Sequence, residues 1–260
     1  MQMTKAPASR EPAARLAPPL VVLKIGGSVF TSHASYRRVA AAIGTRLHDE
    51  PGVRFVVVVS AELGSTDTLL ATAQDLAPEP DPVLLDLLWS TGELRSTALL
   101  ALALQAIGIH AAAANIHQAG LIANGSCTAV RPLRLRALAA RHAVVVTPGF
   151  LARGTGDAVV SLGRGGSDLT AVLLAAGLGA DRCELVKDVP GYFSADPHGD
   201  PDARHLPALT YGEALAMAEA GCELVQRQAL EAARDAQLDL TIRALGDPRE
   251  TKVGSTAAGD

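Results

Sequence analysis

The stretch SLGRGGSDLTAVLLAAGLGAD, Ser161 to Asp181, decides how this chain is read. A small-residue loop carries one Arg, one Ser and one Asp straight into a helical apolar run, Leu169 to Leu178. Backbone N–H groups at such a helix start attract anions, and glycines let a phosphate or carboxylate approach closely. Arg164 brings a planar fork suited to a carboxylate, and Asp168 places a negative charge where a cationic group would sit. A Gly-rich loop alone is weak evidence, and a tight turn before a helix is the competing reading. The flanking sequence has to carry the decision.

On both sides, strand-like and helix-like segments alternate. PLVVLKI (Pro19 to Ile25) and FVVVVS (Phe55 to Ser60) read as buried parallel strands, separated by a helix over Ser35 to His48. The first opens into Gly26-Gly27, the second into a polar loop, Glu62 to Asp67. Leu84 to Ile107 reads as one helix or two, with Ser90-Thr91-Gly92-Glu93 as the start of the second. HAVVVT (His142 to Thr147) is a further buried strand. Beyond the opening stretch come a strand over Arg182 to Val189 and a Pro/Gly/Asp-rich loop, Pro190 to Pro207. Helices over Tyr211 to Ala220 and Leu224 to Ala236 and a strand over Leu240 to Leu245 follow. This order predicts an α/β protein with a mainly parallel sheet and helices on both faces. In such sheets ligands sit outside the C-terminal strand ends, where most of the polar clusters fall. A composition shift near Ala180 suggests two lobes within one domain, residues 19–260.

Composition narrows the function classes. The chain has 260 residues, enough for a sizeable core, and only 3% are aromatic, so that core is expected to be Ala, Val and Leu. A net charge of -4 without a long Lys/Arg block argues against nucleic acid as partner. Ala98 to Ala114 is interrupted by Gln105 and His110 and reads as a helix followed by a strand rather than a membrane span. Cys127, Cys183 and Cys222 have neither metal-ligand nor disulfide spacing, which fits small core residues in a reducing cytoplasm. The seven histidines form no metal motif, and no metal ligand is assigned. Residues 1–18 lack a signal-peptide apolar run and are expected to form a mobile tail.

Several residues carry chemistry. Lys24 lies inside an apolar strand before Gly26-Gly27-Ser28; a buried ammonium needs an anion, such as a phosphate held by the glycine N–H groups, unless it snorkels to water. Ser60, Thr66 and Asp67 follow the second strand and by themselves read as turn or cap residues. Glu93 is either a capping-box residue with Ser90 or the partner of a substrate ammonium, in which case Arg164 would take that substrate's carboxylate. Asp188 and Asp196, in VKDVPGYFSADP, are turn formers or the lining of a nucleotide pocket.

In order along the chain, LKIGGS (Leu23 to Ser28), VVVVSAELGSTDTLL (Val56 to Leu70), STGE (Ser90 to Glu93), TPGF (Thr147 to Phe150), LGRGGSD, KDVPGYFSADP and TIRAL (Thr241 to Leu245) resemble the amino-acid kinase superfamily. The catalytic domain of aspartate kinases is the most similar branch. The resemblance implies a three-layer α/β/α sandwich, with an acceptor lobe over about residues 19–180 and a nucleotide lobe over about 181–260. It implies transfer of the ATP γ-phosphoryl group, with Mg²⁺, to the side-chain carboxylate of aspartate, and a homodimer. Lys24, Gly26, Gly27 and Ser28 would hold the transferring phosphate. Ser60, Thr66, Glu93 and Arg164 would bind the amino acid, and Ser167 and Asp168 would organise the lysine and the acceptor. Lys187, Asp188, Phe193 and Asp196 would line the nucleotide pocket.

Three departures qualify the resemblance. Aspartate kinases usually carry Gly-Ala-Lys-Val-Leu-His, whose Lys reaches the nucleotide phosphates; here the segment is GCELVQ, with Glu223 in that place. The basic residue expected after Asp196-Pro197 is His198. Lys187, Arg227 one helical turn after Glu223, or a partner subunit would have to restore the lost positive charge. The sequence, ending at Asp260, is also expected to lack the C-terminal regulatory domains of many aspartate kinases. The alternatives are a kinase for a related small acid and a non-catalytic ligand-binding or regulatory pseudokinase.

Overall fold

The computed structural model describes residues 18–124, 127–163, 165–197 and 199–255. The expected N-terminal tail thus lies, up to residue 17, outside the described residues, and so do Arg164 and His198. The elements in chain order are β1 (Leu20–Ile25), α1 (His33–Asp49), β2 (Arg54–Val59), α2 (Ser65–Leu76), α3 (Pro82–Ala106), β3 (Ala111–Ala113), α4 (Ile116–Ala119), β4 (Leu121–Asn124), β5 (Cys127–Val130) and α5 (Leu133–Ala139). They continue with β6 (Val144–Pro148), β7 (Leu151–Arg153), β8 (Val159–Ser161), α6 (Gly166–Leu178), β9 (Arg182–Lys187), β10 (Tyr192–Phe193), β11 (His205–Leu206) and β12 (Ala208–Thr210). The chain then forms α7 (Tyr211–Glu219), α8 (Arg227–Asp235), β13 (Leu240–Ala244) and β14 (Glu250–Gly254).

Eight strands form the central sheet in the order β12-β14-β13-β9-β1-β2-β6-β3. Every pairing is parallel except β13 with β14. The valine-rich runs at its centre are buried from both sides, as parallel strands covered by helices must be. Alternation then sorts the side chains. Val21, Leu23 and Ile25 pack with Tyr36, Val39 and Ile43 of α1 and Leu100 and Leu104 of α3. Val22 packs on the opposite face with Leu135 of α5, Val172 and Leu174 of α6, Ala214 of α7 and Leu230 of α8. The result is the three-layer α/β/α arrangement expected, with a core built mainly from Ala, Val and Leu. Each fully buried Val or Leu contributes about 1.5–3 kcal/mol, so many modest side chains replace a few aromatics. Among the described residues no helix is long and apolar enough to cross a membrane.

Several expected boundaries are corrected. The segment expected over Leu84 to Ile107 forms one helix as far as Ala106: α3 starts at Pro82, is capped by Asp81, and runs without a break through Ser90 to Glu93. The supposed loop Glu62 to Asp67 already contains the start of α2. The loop Pro190 to Pro207 carries the antiparallel ribbon β10–β11. The helix expected from Leu224 begins at Arg227, so Glu223 sits in the connection between α7 and α8. A second sheet, β5-β4-β7-β8, was not expected at all.

Candidate active site

The centre of the site follows from strand alternation. Lys24 shares the face of Val22, and Lys187 that of Cys183 and Leu185, so both lysines point to the layer that contains α6. Asp168, in the first turn of α6, meets both. Lys24 Nζ lies 2.8 Å from Asp168 Oδ1, and Lys187 Nζ lies 2.7 Å from Oδ2. Lys24 and Asp168 are buried, and Lys187 is mostly so. Burial alone would raise the Asp168 carboxyl, but two adjacent ammonium charges outweigh it and hold it below the usual carboxylate range. Burial lowers the Lys187 ammonium, against the attraction of Asp168. The formal charges of the trio sum to one positive charge.

The loops beyond the strand ends complete the walls. After β1, Gly27 lies so close to the loop after β2 that a Cβ would stand 2.7 Å from the Ala61 carbonyl oxygen. At the start of α6, Gly165 has φ +69°, and a Cβ there would overlap the Gln226 side chain at 1.6 Å. Only glycine satisfies both demands. Two adjoining cavities result. The larger, about 770 Å³, is lined by Gly26, Asp188, Phe193, Asp196 and Cys222, among others. The smaller, about 330 Å³, is lined by Ser60, Thr66, Asp67, Glu93, Ser167 and Asp168. Lys24, Gly27, Ser28, Lys187 and Glu223 belong to both and form the wall between them.

Glu93 is 4% exposed and projects from the middle of α3. It is not a capping residue, because Ser90 donates to Leu87 O (2.6 Å) within a continuous helix. Burial pushes the Glu93 carboxyl up to about 8, although the Ala61 N–H and the Lys24 charge act to lower it. Its Oε2 has no hydrogen-bond partner among the described residues. A buried, half-satisfied carboxyl of this kind matches a ligand ammonium.

The structure therefore brings together every described residue assigned to the site from the sequence, whereas Arg164 lies outside the described residues. Thr66 is exposed in the first turn of α2, and its carbonyl accepts from Trp89 Nε1 (3.2 Å). Phe193 meets His205 edge-on at 5.4 Å. One expectation fails: Arg227 does not neutralise Glu223. It pairs with Glu219 (3.2 Å) and Glu231 (2.8 Å), because α8 begins at Arg227 and no helical turn joins it to Glu223. Gln226 and Phe150 also line the smaller cavity. Phe150 has a left-handed backbone (φ 67°) and follows Pro148-Gly149, a turn signal, whereas nothing in the local sequence marks Gln226.

The chain belongs to the amino acid kinase family, whose sequence model matches residues 19–244. Its relatives within that family include aspartokinases. It is 42% identical to the aspartokinase of Mycobacterium tuberculosis over 231 residues, covering 86% of this chain and 54% of that protein. It is 38% identical to an aspartokinase of Thermus thermophilus over 229 residues, covering 86% of this chain and 56% of that protein. The crystal structure of an aspartate kinase from Synechocystis superposes with a TM-score of 0.82 at 36% identity, covering 92% of this chain and 40% of that one. The chain spans about half the length of the relatives it matches.

Among the described residues no three His, Cys, Asp or Glu side chains converge as a metal cage. The larger cavity offers separate carboxylates, Asp188 and Asp196. That donor set fits a Mg²⁺ that arrives on nucleotide phosphates and keeps part of its water shell.

Proposed function

We propose that this chain transfers the γ-phosphoryl group of ATP to the side-chain carboxylate of aspartate, forming an acyl phosphate. One observation carries the reading: two ammonium groups converge on Asp168 at the wall between a large cavity and a small one that holds the half-satisfied Glu93. Aspartate occupies the small cavity, its ammonium on Glu93 and its α-carboxylate on Arg164, with Ser60, Thr66 and Ser167 around it. ATP occupies the larger cavity beside Asp188, Phe193 and Asp196, with its phosphates over Gly26, Gly27 and Ser28. Lys24 offsets charge on the group in transit. Asp168 holds Lys24 in place, and Mg²⁺ bound with the nucleotide would neutralise phosphate charge. The attacking carboxylate is already ionised near neutral pH, so no general base is needed. Positioning and charge neutralisation do most of the catalysis. The reading extends to a homodimer, which sedimentation measures.

Coupled measurement of ADP release with aspartate, ATP and Mg²⁺ tests the reaction. Turnover with aspartate and none with the monocarboxylic analogue β-alanine is the expected result; no release with any small acid overturns it. Glu223 on the shared wall favours one second reading, a non-catalytic binding protein. Calorimetry that finds aspartate bound and ADP not bound would establish that reading instead.

A further inference from the structure

The two ammonium groups on Asp168 come from neighbouring parallel strands, and β9 supplies one of them at its last residue, Lys187. Each takes its own carboxylate oxygen. As a purely structural partner Lys187 is superfluous. Lys24 already neutralises Asp168, and burying a second ammonium carries a desolvation cost that the pair alone does not require. Lys187 also lines both cavities, as Glu223 does. At neutral pH the formal charges of Lys24, Lys187, Asp168 and Glu223 sum to zero. Without Lys187 the other three groups would sum to a net negative charge toward any phosphate lying across the wall, and opposite signs at this range decide whether a polyanion binds.

Resting on the phosphotransfer reading above, we propose that Lys187 is a catalytic residue whose ammonium bridges Asp168 and the phosphoryl group in transit, counterbalancing Glu223 on the same wall. In that step an oxygen of the acceptor carboxylate bonds to phosphorus as the bond from phosphorus to the leaving diphosphate oxygen breaks. The electron pair departs with the diphosphate. Lys187 keeps its protons and acts as a fixed positive charge. Its position at the end of β9 sets it beside Lys24 without any contribution from the α7–α8 connection, where Glu223 sits.

The test relocates the charge. The full chain is compared with Lys187→Gln and with the double variant Lys187→Gln/Glu223→Lys. Phosphoryl transfer to aspartate, ADP binding with Mg²⁺ by calorimetry, and thermal unfolding are measured for each. Lys187→Gln keeps the Asp168–Lys24 pair, so it is expected to fold. Its kcat should fall about a hundredfold, with the KM for aspartate changed less than about threefold. The double variant should regain about tenfold of the lost kcat, because a cation returns to the same wall from the other side. A merely structural lysine would give no such rescue. Unchanged kcat in Lys187→Gln, or no recovery in a folded double variant, overturns the proposal. If the wild-type chain binds ADP but transfers nothing to aspartate, the acceptor reading fails by itself. Lys187 is then decided by affinity for a non-hydrolysable ATP analogue with Mg²⁺, which keeps the third phosphate: weakening by about tenfold in Lys187→Gln with restoration in the double variant supports it, and equal affinities overturn it. A wild-type chain that binds no ADP overturns both.

Discussion

Glu93 combines two properties that pull against each other. Its carboxyl titrates near 8 because burial penalises the charged form, yet the ligand assigned to it needs that charge. A folded-state value above the unfolded one means that the native protein holds a proton which the unfolded chain releases. The Glu93 contribution to stability is therefore full below the unfolded value near 4.5 and declines as pH rises toward 8. Glu93→Gln removes that penalty. The variant should match wild type near pH 4 and exceed it at pH 8 by roughly 2 kcal/mol or more in urea unfolding, while binding of aspartate is lost. Equal pH profiles for the two proteins would contradict a neutral, buried Glu93. In the wild-type chain the dissociation constant for aspartate should fall with rising pH, by up to about tenfold per unit, and level off above about 8.

At the scale of elements, α3 shows how a local signal can point to the wrong helix start. Ser90 and Glu93 have the spacing of a capping box, so the local sequence alone is consistent with a helix start. The competing signal is Pro82 after Asp81, which begins the helix a full two turns earlier; Asp81 Oδ1 accepts from Val83 N (2.8 Å) and Leu84 N (3.2 Å). Gly92 then lets the continuous helix approach the loop after β2, since a Cβ there would lie 3.1 Å from Ala61 Cβ and Ser65 Oγ. The helix α2 left no apolar stripe to read because it buries no residue. The sheet β5-β4-β7-β8 is made of strands of three or four residues, too short for alternation to stand out. The long strands were legible for the opposite reason: FVVVVS and HAVVVT are buried on both faces, and so were Lys24 and Glu93 as candidates, each a polar break in or beside an apolar run. Lys187 was legible as pocket lining but not as the partner of Asp168, because that pairing depends on the register of β9 against β1. Asp81→Ala should cost about 1 kcal/mol of stability by loss of the cap, with ligand affinities unchanged, as checked by urea unfolding and calorimetry. A large loss of affinity would mean that the start of α3 positions Glu93 directly.

For the whole molecule, the acceptor and nucleotide halves proposed from the sequence do not have separate sheets. β9 and β13, from the second half, pair in parallel with each other, and β9 pairs in parallel with β1 of the first, so one hydrogen-bonded sheet crosses the division near Ala180. The core on the α6 face likewise mixes Val22 and Val56 with Leu185, Leu230 and Ile242. Neither half can lose its packing without exposing the apolar face of the other, which argues for one cooperative unfolding transition. Two probes already in the chain test this. Trp89, the single tryptophan, reports on the first half by fluorescence. Cys183, a free thiol 1% exposed on β9, reports on the second by its reactivity to an alkylating reagent. Both should change at the same urea concentration, since Cys183 becomes accessible only when β9 leaves the sheet. Labelling of Cys183 at a clearly lower urea concentration than the Trp89 transition would show that the nucleotide half opens by itself, and the shared sheet would not be what holds the two cavities against their common wall.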